Sequence, residues 1–156
     1  MKTINIFIAS SAELRKERDE LTDLFLDLNQ ESFYAKGIQL HAERWEYADS
    51  SMRTERKEDE YLNRLRTCDI SITMFWNTLG EYTVEELDVA EAEKNAGRIP
   101  KTNYVFFKNP ENSISPELAD FQASFAERYP SVPIYTFDDN LSLRQQVAKI
   151  IYQTCQ

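Results

Sequence analysis

The sequence predicts an α/β fold in which a five-stranded parallel sheet carries helices on both faces. Short apolar segments alternate five times with helix-like segments along the 156 residues, and this alternation is typical of parallel strands joined by crossover helices. The apolar share of 42% and the aromatic share of 12% are those of a folded protein. A chain of this length can bury a core of its own, so we expect residues 1–156 to form a single domain.

The first two strands and the helix between them are predicted from residues 3–45. Residues 3–9, TINIFIA, form a compact apolar run that indicates a buried strand. Ser10 and Glu13 have the spacing of a capping box at the start of a helix. The inner face of that helix is predicted to contain Leu14, Leu21, Leu24, Phe25 and Leu28. Gly37 marks a turn, and residues 38–45 alternate enough to indicate the second strand.

The middle of the chain predicts a loop, a helix and the central strand. Residues 46–58 are polar and indicate a surface loop that leads into a helix near 56–67, with Tyr61, Leu62 and Leu65 facing inward. Residues 68–76 are the most apolar segment and indicate the central strand. The next helix is predicted from about residue 84 to 96, with Thr83 at its start and Gly97 after its end.

The remaining segments predict two more strands, each followed or preceded by a helix. Residues 102–108 and 132–137 indicate the fourth and fifth strands. Ser115 and Pro116 favour a helix start, and that helix is predicted to continue to about Tyr129. The final helix is predicted to bury Leu143, Val147, Ile150 and Ile151. The complete pattern predicts a flavodoxin-like three-layer sandwich with strand order 2-1-3-4-5.

Charge and cysteine content narrow the classes of partner and compartment. The net charge of −9 disfavours nucleic acid and anionic membrane surfaces as partners. Cys68 and Cys155 match neither a disulfide framework nor a zinc spacing, so we predict no metal site. The N-terminus lacks the pattern of a signal peptide, and no apolar stretch approaches the roughly 20 residues that span a bilayer. We therefore expect a soluble, cytoplasmic protein.

The fold predicts where a ligand should bind. In open parallel sheets the crevice lies at the carboxyl ends of the strands. Residues 9–11, the stretch after Trp45 and residues 75–83 should converge at that edge. The three glycines cannot build a dinucleotide or P-loop fingerprint. The single histidine, His41, lies within a predicted strand and favours a structural role.

Glu86 is the carboxylate for which the sequence offers two interpretations. It should lie in the first helical turn after the central strand, close to Phe75, Trp76 and Tyr82. Thr83 and Glu86 have the spacing of an ordinary capping box, so a purely structural role is one interpretation. The other is that the helix start holds an ionised carboxylate at the crevice for chemistry. Trp45 is likewise open between a core position and the site.

Several segments together resemble Toll/interleukin-receptor-like (TIR-like) domains, most closely a bacterial subfamily fused to NTPase or repeat modules in immune receptors. The stretch IFIASSAELRKERDEL is similar to the opening strand, loop and helix of that subfamily, including its Glu-Arg pair. The further matches are Trp45-Glu46, the CDI run from Cys68, the pattern of Gly80, Thr83, Glu86, Leu87 and Ala90, and Tyr104 through Lys108.

The resemblance implies cleavage of the nicotinamide-ribose bond of NAD+, with NAD+ as substrate and no separate cofactor. Glu86 would be the catalytic carboxylate. The substrate would contact Ser10, Ser11, Trp45, Trp76, Tyr82 and Thr83. The resemblance also implies activation by self-association, with a fused or bound sensor module, in bacterial antiphage immunity.

Two alternatives remain from the sequence. The first is a non-catalytic TIR-like signalling or scaffold module that acts by homotypic assembly. The spacing Thr-x-x-Glu-x-x-x-Ala also resembles nucleoside deoxyribosyltransferases, in which the glutamate attacks the sugar carbon. That alternative would give a glycosyl adduct on Glu86.

Overall fold

A computed structural model of the protein describes residues 1–44 and 55–155. The described residues form a parallel sheet of five strands in the order β2-β1-β3-β4-β5, with helices packed on both faces. The predicted α/β fold class and strand order are therefore confirmed. Within these residues no helix is both long and apolar enough to cross a membrane.

The strands and helices alternate along the chain as the sequence predicts. The strands are β1 (Lys2–Ser10), β2 (Ile38–Glu43), β3 (Ile70–Phe75), β4 (Thr102–Lys108) and β5 (Ile134–Phe137). The helices are α1 (Arg15–Leu28), α2 (Glu55–Leu65), α3 (Glu81–Asn95), α4 (Pro116–Arg128) and α5 (Asn140–Thr154). The loop predicted over residues 46–58 falls largely outside the described residues.

The two sheet faces are covered by different helices because successive strand side chains point to opposite sides. Ile4, Ile6 and Ile8 of β1 pack in one cluster with buried side chains of α1 and α5. Phe7 and Ala9 pack on the other face with α2 and α3. Helix α4 covers the β3–β4 part of that second face through Leu118, Phe121 and Phe125. Both faces of the central strands are thus buried, which explains their nearly continuous apolar sequence.

The inner faces predicted for the helices are confirmed. Leu21, Leu24, Phe25 and Leu28 of α1 are buried, as are Tyr61, Leu62 and Leu65 of α2. The four apolar residues predicted to face inward on α5 are buried as well. The helical spacing of apolar residues in the sequence therefore identified the side chains that are buried in the core.

Two helix ends also form as predicted. Ser115 is the N-cap of α4, and its hydroxyl accepts a hydrogen bond from the Leu118 N–H at 3.2 Å. Gly97 follows the last turn of α3 with φ of +78°. The Gly97 and Arg98 N–H groups donate to the carbonyls of Lys94 and Glu93, which is the Schellman arrangement. Glycine adopts this left-handed conformation without a steric penalty.

The start of the first helix differs from the prediction. Ser10 is the last residue of β1 rather than an N-cap, and a short 3-10 turn over Ala12–Leu14 precedes α1. Ser11 precedes that turn, and its side chain makes no capping hydrogen bond. The predicted capping box of Ser10 and Glu13 is wrong because the Glu13 carboxylate is bonded elsewhere, as described below.

Candidate functional site

The candidate site lies at the carboxyl ends of β1 and β3, where the strand order reverses. Strands β1 and β3 are neighbours, with Ser10 paired opposite Met74. Helix α1 leaves β1 on one face of the sheet and α3 leaves β3 on the other, so the two loops diverge at the edge where this fold class has its crevice. Ligands of doubly wound sheets bind at such a switch point.

Glu13 spans this crevice. Its carboxylate accepts hydrogen bonds from the Asn77 N–H at 3.2 Å and from the Thr78 N–H at 3.1 Å. The Thr78 hydroxyl donates to the same carboxylate, and the Ser11 hydroxyl donates to it at 3.1 Å. One side chain from the β1–α1 loop therefore holds the β3–α3 loop through three hydrogen bonds, while the fourth, from Ser11, fixes the carboxylate within its own loop.

Ser10 and Ser11, which were predicted to contact substrate, are already tied to their own loop. Arg18 donates to the Ser10 hydroxyl and, at 3.0 Å, to the Ser11 carbonyl. The Ser10 hydroxyl donates to the Ser11 carbonyl at 3.2 Å. Arg18 is buried, so its positive charge lies close behind the loop. In a chain of net charge −9, this places a cation where an anionic ligand group would need one.

Helix α3 begins three residues earlier than the sequence predicts. Gly80 is its N-cap, and the Gly80 carbonyl accepts the Val84 N–H at 3.1 Å. The predicted capping box of Thr83 and Glu86 is therefore wrong, and Glu86 lies in the second turn. Residues three apart on a helix share a face, and Thr83 and Glu86 are both turned inward, each 2% exposed.

Gly80, Thr83 and Ser11 lie in close contact. A Cβ added at Gly80 would lie 2.6 Å from Thr83 Oγ1 and 3.4 Å from Ser11 Cβ. The absence of a side chain at Gly80 thus lets the first turn of α3 approach the loop after β1. Of the residues predicted to bind substrate, Ser11 and Thr83 are the pair that this contact brings together.

The position of Glu86 follows from its neighbours on α3. Ala90 packs in the cluster that contains Phe7 and Ala9 of β1. Glu86 precedes Ala90 by four residues, which is about one helical turn nearer the carboxyl edge of the sheet. Glu86 is therefore buried on the face of α3 that is turned toward the sheet, nearer the carboxyl edge than Ala90. The neighbouring Glu85 points outward and is exposed.

Trp76 lies at the same edge but on the other face of the sheet. It packs against the cluster that contains α1 and α5, whereas Glu86 lies under α3. The Lys108 ammonium group sits 3.9 Å from the centre of the Trp76 ring and pairs with the buried Glu17 carboxylate at 3.0 Å. A cation over an aromatic face is a favourable contact, so Lys108 already covers one face of the ring predicted to stack on substrate.

Of the two other aromatic residues predicted to contact substrate, the structure describes Tyr82 but not Trp45. Tyr82 lies in the first turn of α3 and is half-buried. Trp45 was predicted at the site, but it lies outside the described residues. The structure therefore places Ser11 and Thr83 close to Gly80, with Glu86 on the same helix face as Thr83, and Trp76 packs on the opposite face of the sheet from α3.

Four charged residues at this edge were not predicted as site residues: Glu13, Glu17, Arg18 and Lys108. All four lie in segments that resemble TIR-like domains, and the Glu17-Arg18 pair and Lys108 at the end of β4 belong to the matched motifs themselves. That signal could have identified them. Glu13 had been assigned to a local capping box, and no sequence pattern indicates its bonds to residues 64 and 65 positions away.

Two further features of the described residues bear on possible sites. No group of three or more His, Cys, Asp or Glu side chains there is arranged to hold a metal ion. A separate groove of about 250 Å³ lies beside α4 and the edge strand β5, lined in part by Phe107, Gln122, Phe125 and Ile134. None of the predicted site residues lines it.

Comparison of the sequence with models of protein families and with curated proteins finds no match. The resemblance to TIR-like domains therefore depends on the residues quoted above. The structure itself contributes the strand order and the contacts at the carboxyl edge of the sheet.

Proposed function

We propose that the protein cleaves the nicotinamide-ribose bond of NAD+ and that Glu86 is the catalytic carboxylate. The observation that carries this proposal is the burial of Glu86 in the second turn of α3, on the inward face that it shares with Thr83, in the helix that follows β3 at the carboxyl edge of the sheet. Strongly buried carboxyl groups in such clefts are frequent at functional sites. The match of Gly80, Thr83, Glu86 and Ala90 to the TIR-like pattern supports the same residue.

The chemistry of NAD+ suits a site with one carboxylate. Most glycosidases need a second carboxyl group that protonates the leaving oxygen. The nicotinamide ring of NAD+ already carries a positive charge and departs as a neutral base, so no general acid is required. A single ionised carboxylate can stabilise the positive charge that develops on the ribose and can accept hydrogen bonds from its hydroxyl groups.

The burial of Glu86 adds a condition to the proposal. A carboxyl group that is 2% exposed cannot touch a ribose unless the surrounding elements move. The active state therefore requires a rearrangement around the start of α3. In this proposal, self-association driven by a fused or bound sensor module of a cytoplasmic bacterial immune receptor supplies the free energy for that change.

The test compares two glutamates that are adjacent in the sequence but face opposite ways. Wild type, Glu86→Gln and Glu85→Gln would each be incubated with NAD+ over a series of protein concentrations, with a crowding agent to promote assembly. Chromatography would follow NAD+ and nicotinamide, and light scattering would report assembly. Glu85 is exposed, so its substitution removes the same charge without touching the buried site.

We expect NAD+ loss in the wild type and in Glu85→Gln, and a loss of activity of at least about 100-fold in Glu86→Gln. Equal activity in all three proteins would remove Glu86 from the mechanism. Absence of NAD+ cleavage in assembled wild type would favour a non-catalytic assembly module. A mass increase on the peptide containing Glu86, with release of a purine or pyrimidine base, would favour a deoxyribosyltransferase-like reaction.

A further inference from the structure

The carboxylate of Glu13 occupies a backbone arrangement that suits a phosphate group. Consecutive N–H groups of Asn77 and Thr78 point at the same carboxylate, at 3.2 and 3.1 Å, and the Thr78 hydroxyl adds a third donor. Successive backbone N–H groups of this kind form nests that bind anions. In this structure the bound anion is a side chain of the same chain.

The donors are held in place from behind. The Asn77 carbonyl, which belongs to the same peptide unit as the Thr78 N–H, accepts the Ser115 N–H at 2.9 Å. Ser115 is in turn the N-cap of α4. The orientation of the Thr78 N–H therefore depends on α4 as well as on Glu13, and the nest should persist when Glu13 leaves.

An anion from solution can reach this position. Thr78 is exposed, and Asn77 and Glu13 are half-buried. The buried guanidinium of Arg18 hydrogen bonds the adjacent Ser11 carbonyl at 3.0 Å, which places a positive charge beside the crevice. The nest also lies at the switch point between β1 and β3, where ligands of this fold class bind.

The geometry points to a diphosphate-binding position at Asn77 and Thr78, whose donor groups are bonded to the Glu13 carboxylate in this structure. A diphosphate group of the substrate displaces the Glu13 carboxylate, and this displacement releases the β1–α1 loop from the β3–α3 loop. Glu13 thus competes with the ligand for the same hydrogen-bond donors. While Glu13 is bound to them, it also keeps the two loops together. As an account of the substrate's diphosphate, this inference rests on the proposed function.

The experiment titrates the full chain with inorganic pyrophosphate at fixed pH and ionic strength. Backbone amide NMR signals of Asn77 and Thr78 would report the site, and calorimetry would give the affinity. The proteins compared would be wild type, Glu13→Gln, Glu13→Ala and the control Glu31→Gln. Glu31 is exposed, so its substitution changes the net charge equally without touching the nest. Circular dichroism would confirm that each variant is folded.

We expect both Glu13 variants to bind pyrophosphate at least about tenfold more tightly than wild type, because a competing negative charge is removed from the site. Glu31→Gln should bind like the wild type. The shifts should centre on Asn77 and Thr78. Unchanged affinity in folded Glu13 variants, or shifts centred elsewhere, would overturn the inference and leave Glu13 as a structural link between two loops.

The outcome is distinguishable from failure of the proposed function. Pyrophosphate contains no glycosidic bond, and its binding does not require Glu86. Tighter pyrophosphate binding without NAD+ cleavage would keep the anion site and reject the reaction. NAD+ cleavage that depends on Glu86, with no effect of Glu13 on pyrophosphate affinity, would keep the reaction and reject the anion site.

Discussion

Gly80, Thr83, Glu86 and Ala90 each have a separate physical reason for their place on α3. Gly80 has no side chain where the Thr83 hydroxyl lies, and Thr83 is buried against it. Glu86 continues the same inward face, and Ala90 is small enough for the helix to pack on Phe7 and Ala9. The spacing that resembles a catalytic pattern is therefore also a packing pattern, which is why activity must be tested separately from stability.

At Gly80 this packing leads to a stability prediction. In Gly80→Ala, the added methyl group would lie 2.6 Å from Thr83 Oγ1, and N-cap alanine is also unfavourable. We expect unfolding in urea to show a loss of about 1–3 kcal/mol.

The matched control for Gly80→Ala is Thr83→Ala, which removes the hydroxyl group that the added methyl group would meet. Thr83→Ala should reduce the additional loss caused by Gly80→Ala, so the double variant should be more stable than the sum of the single effects predicts. Strict additivity of the two substitutions would show that the Thr83 hydroxyl is not the source of the strain.

At the level of elements, Asn29 connects α1 to the edge strand β2. Helix α1 continues through a π turn over Asn29–Phe33, and the buried Asn29 side chain pairs with both backbone groups of Leu40. The distances are 3.0 Å to the Leu40 carbonyl and 2.8 Å from the Leu40 N–H. The side chain thereby occupies backbone groups that an open sheet edge would offer to another chain.

Asn29→Ala is expected to destabilise the protein by about 2 kcal/mol, because it leaves a buried N–H and a buried carbonyl without their partner. Hydrogen exchange should show faster exchange at the Leu40 amide than at amides of β3. Gln30→Ala, in the same turn but exposed, is the control and should change little. Equal effects of the two substitutions would contradict the role assigned to Asn29.

The elements themselves were largely predictable, whereas their junctions were not. The bounds of β4 match the prediction because a continuous apolar run is a local property of the chain. The starts of α1 and α3 were misplaced because tertiary contacts decided them: Glu13 bonds Asn77 and Thr78, and Thr83 packs on Gly80. The π turn at Asn29 likewise depends on a strand that lies later in the chain.

Across the whole molecule, the carboxyl edge and the amino half of the sheet contain different kinds of residue. The carboxyl edge contains Glu13, Arg18 and the start of α3. The amino half contains a buried chain of hydrogen bonds in which Ser71 donates to Asn103 at 2.6 Å and Asn103 donates to Glu91 at 2.6 Å. Cys68 also lies there, fully buried in the cluster formed with α2 and α3. Substitutions at the amino half should therefore affect stability before ligand binding.

The buried thiol of Cys68 should make the free energy of unfolding depend on pH in the alkaline range. Burial of the thiol, reinforced by the negative charge of Glu43, raises the pKa of Cys68 from 9.0 to about 12. In the unfolded chain the thiol ionises near its ordinary pKa, whereas in the folded protein it stays protonated. The folded protein therefore holds a proton that the unfolded chain releases, and stability falls as the pH rises above about 9.

We expect the wild type to lose about 1.4 kcal/mol more than Cys68→Ala between pH 8 and pH 10, because one pH unit between the two pKa values corresponds to that free energy. Urea unfolding of both proteins at each pH, under reducing conditions, gives the comparison. The substitution also removes the hydrogen bond from the Cys68 thiol to the Arg64 carbonyl, but that loss is the same at both pH values. Parallel pH dependence in the two proteins would show that the Cys68 thiol ionises alike when folded and unfolded.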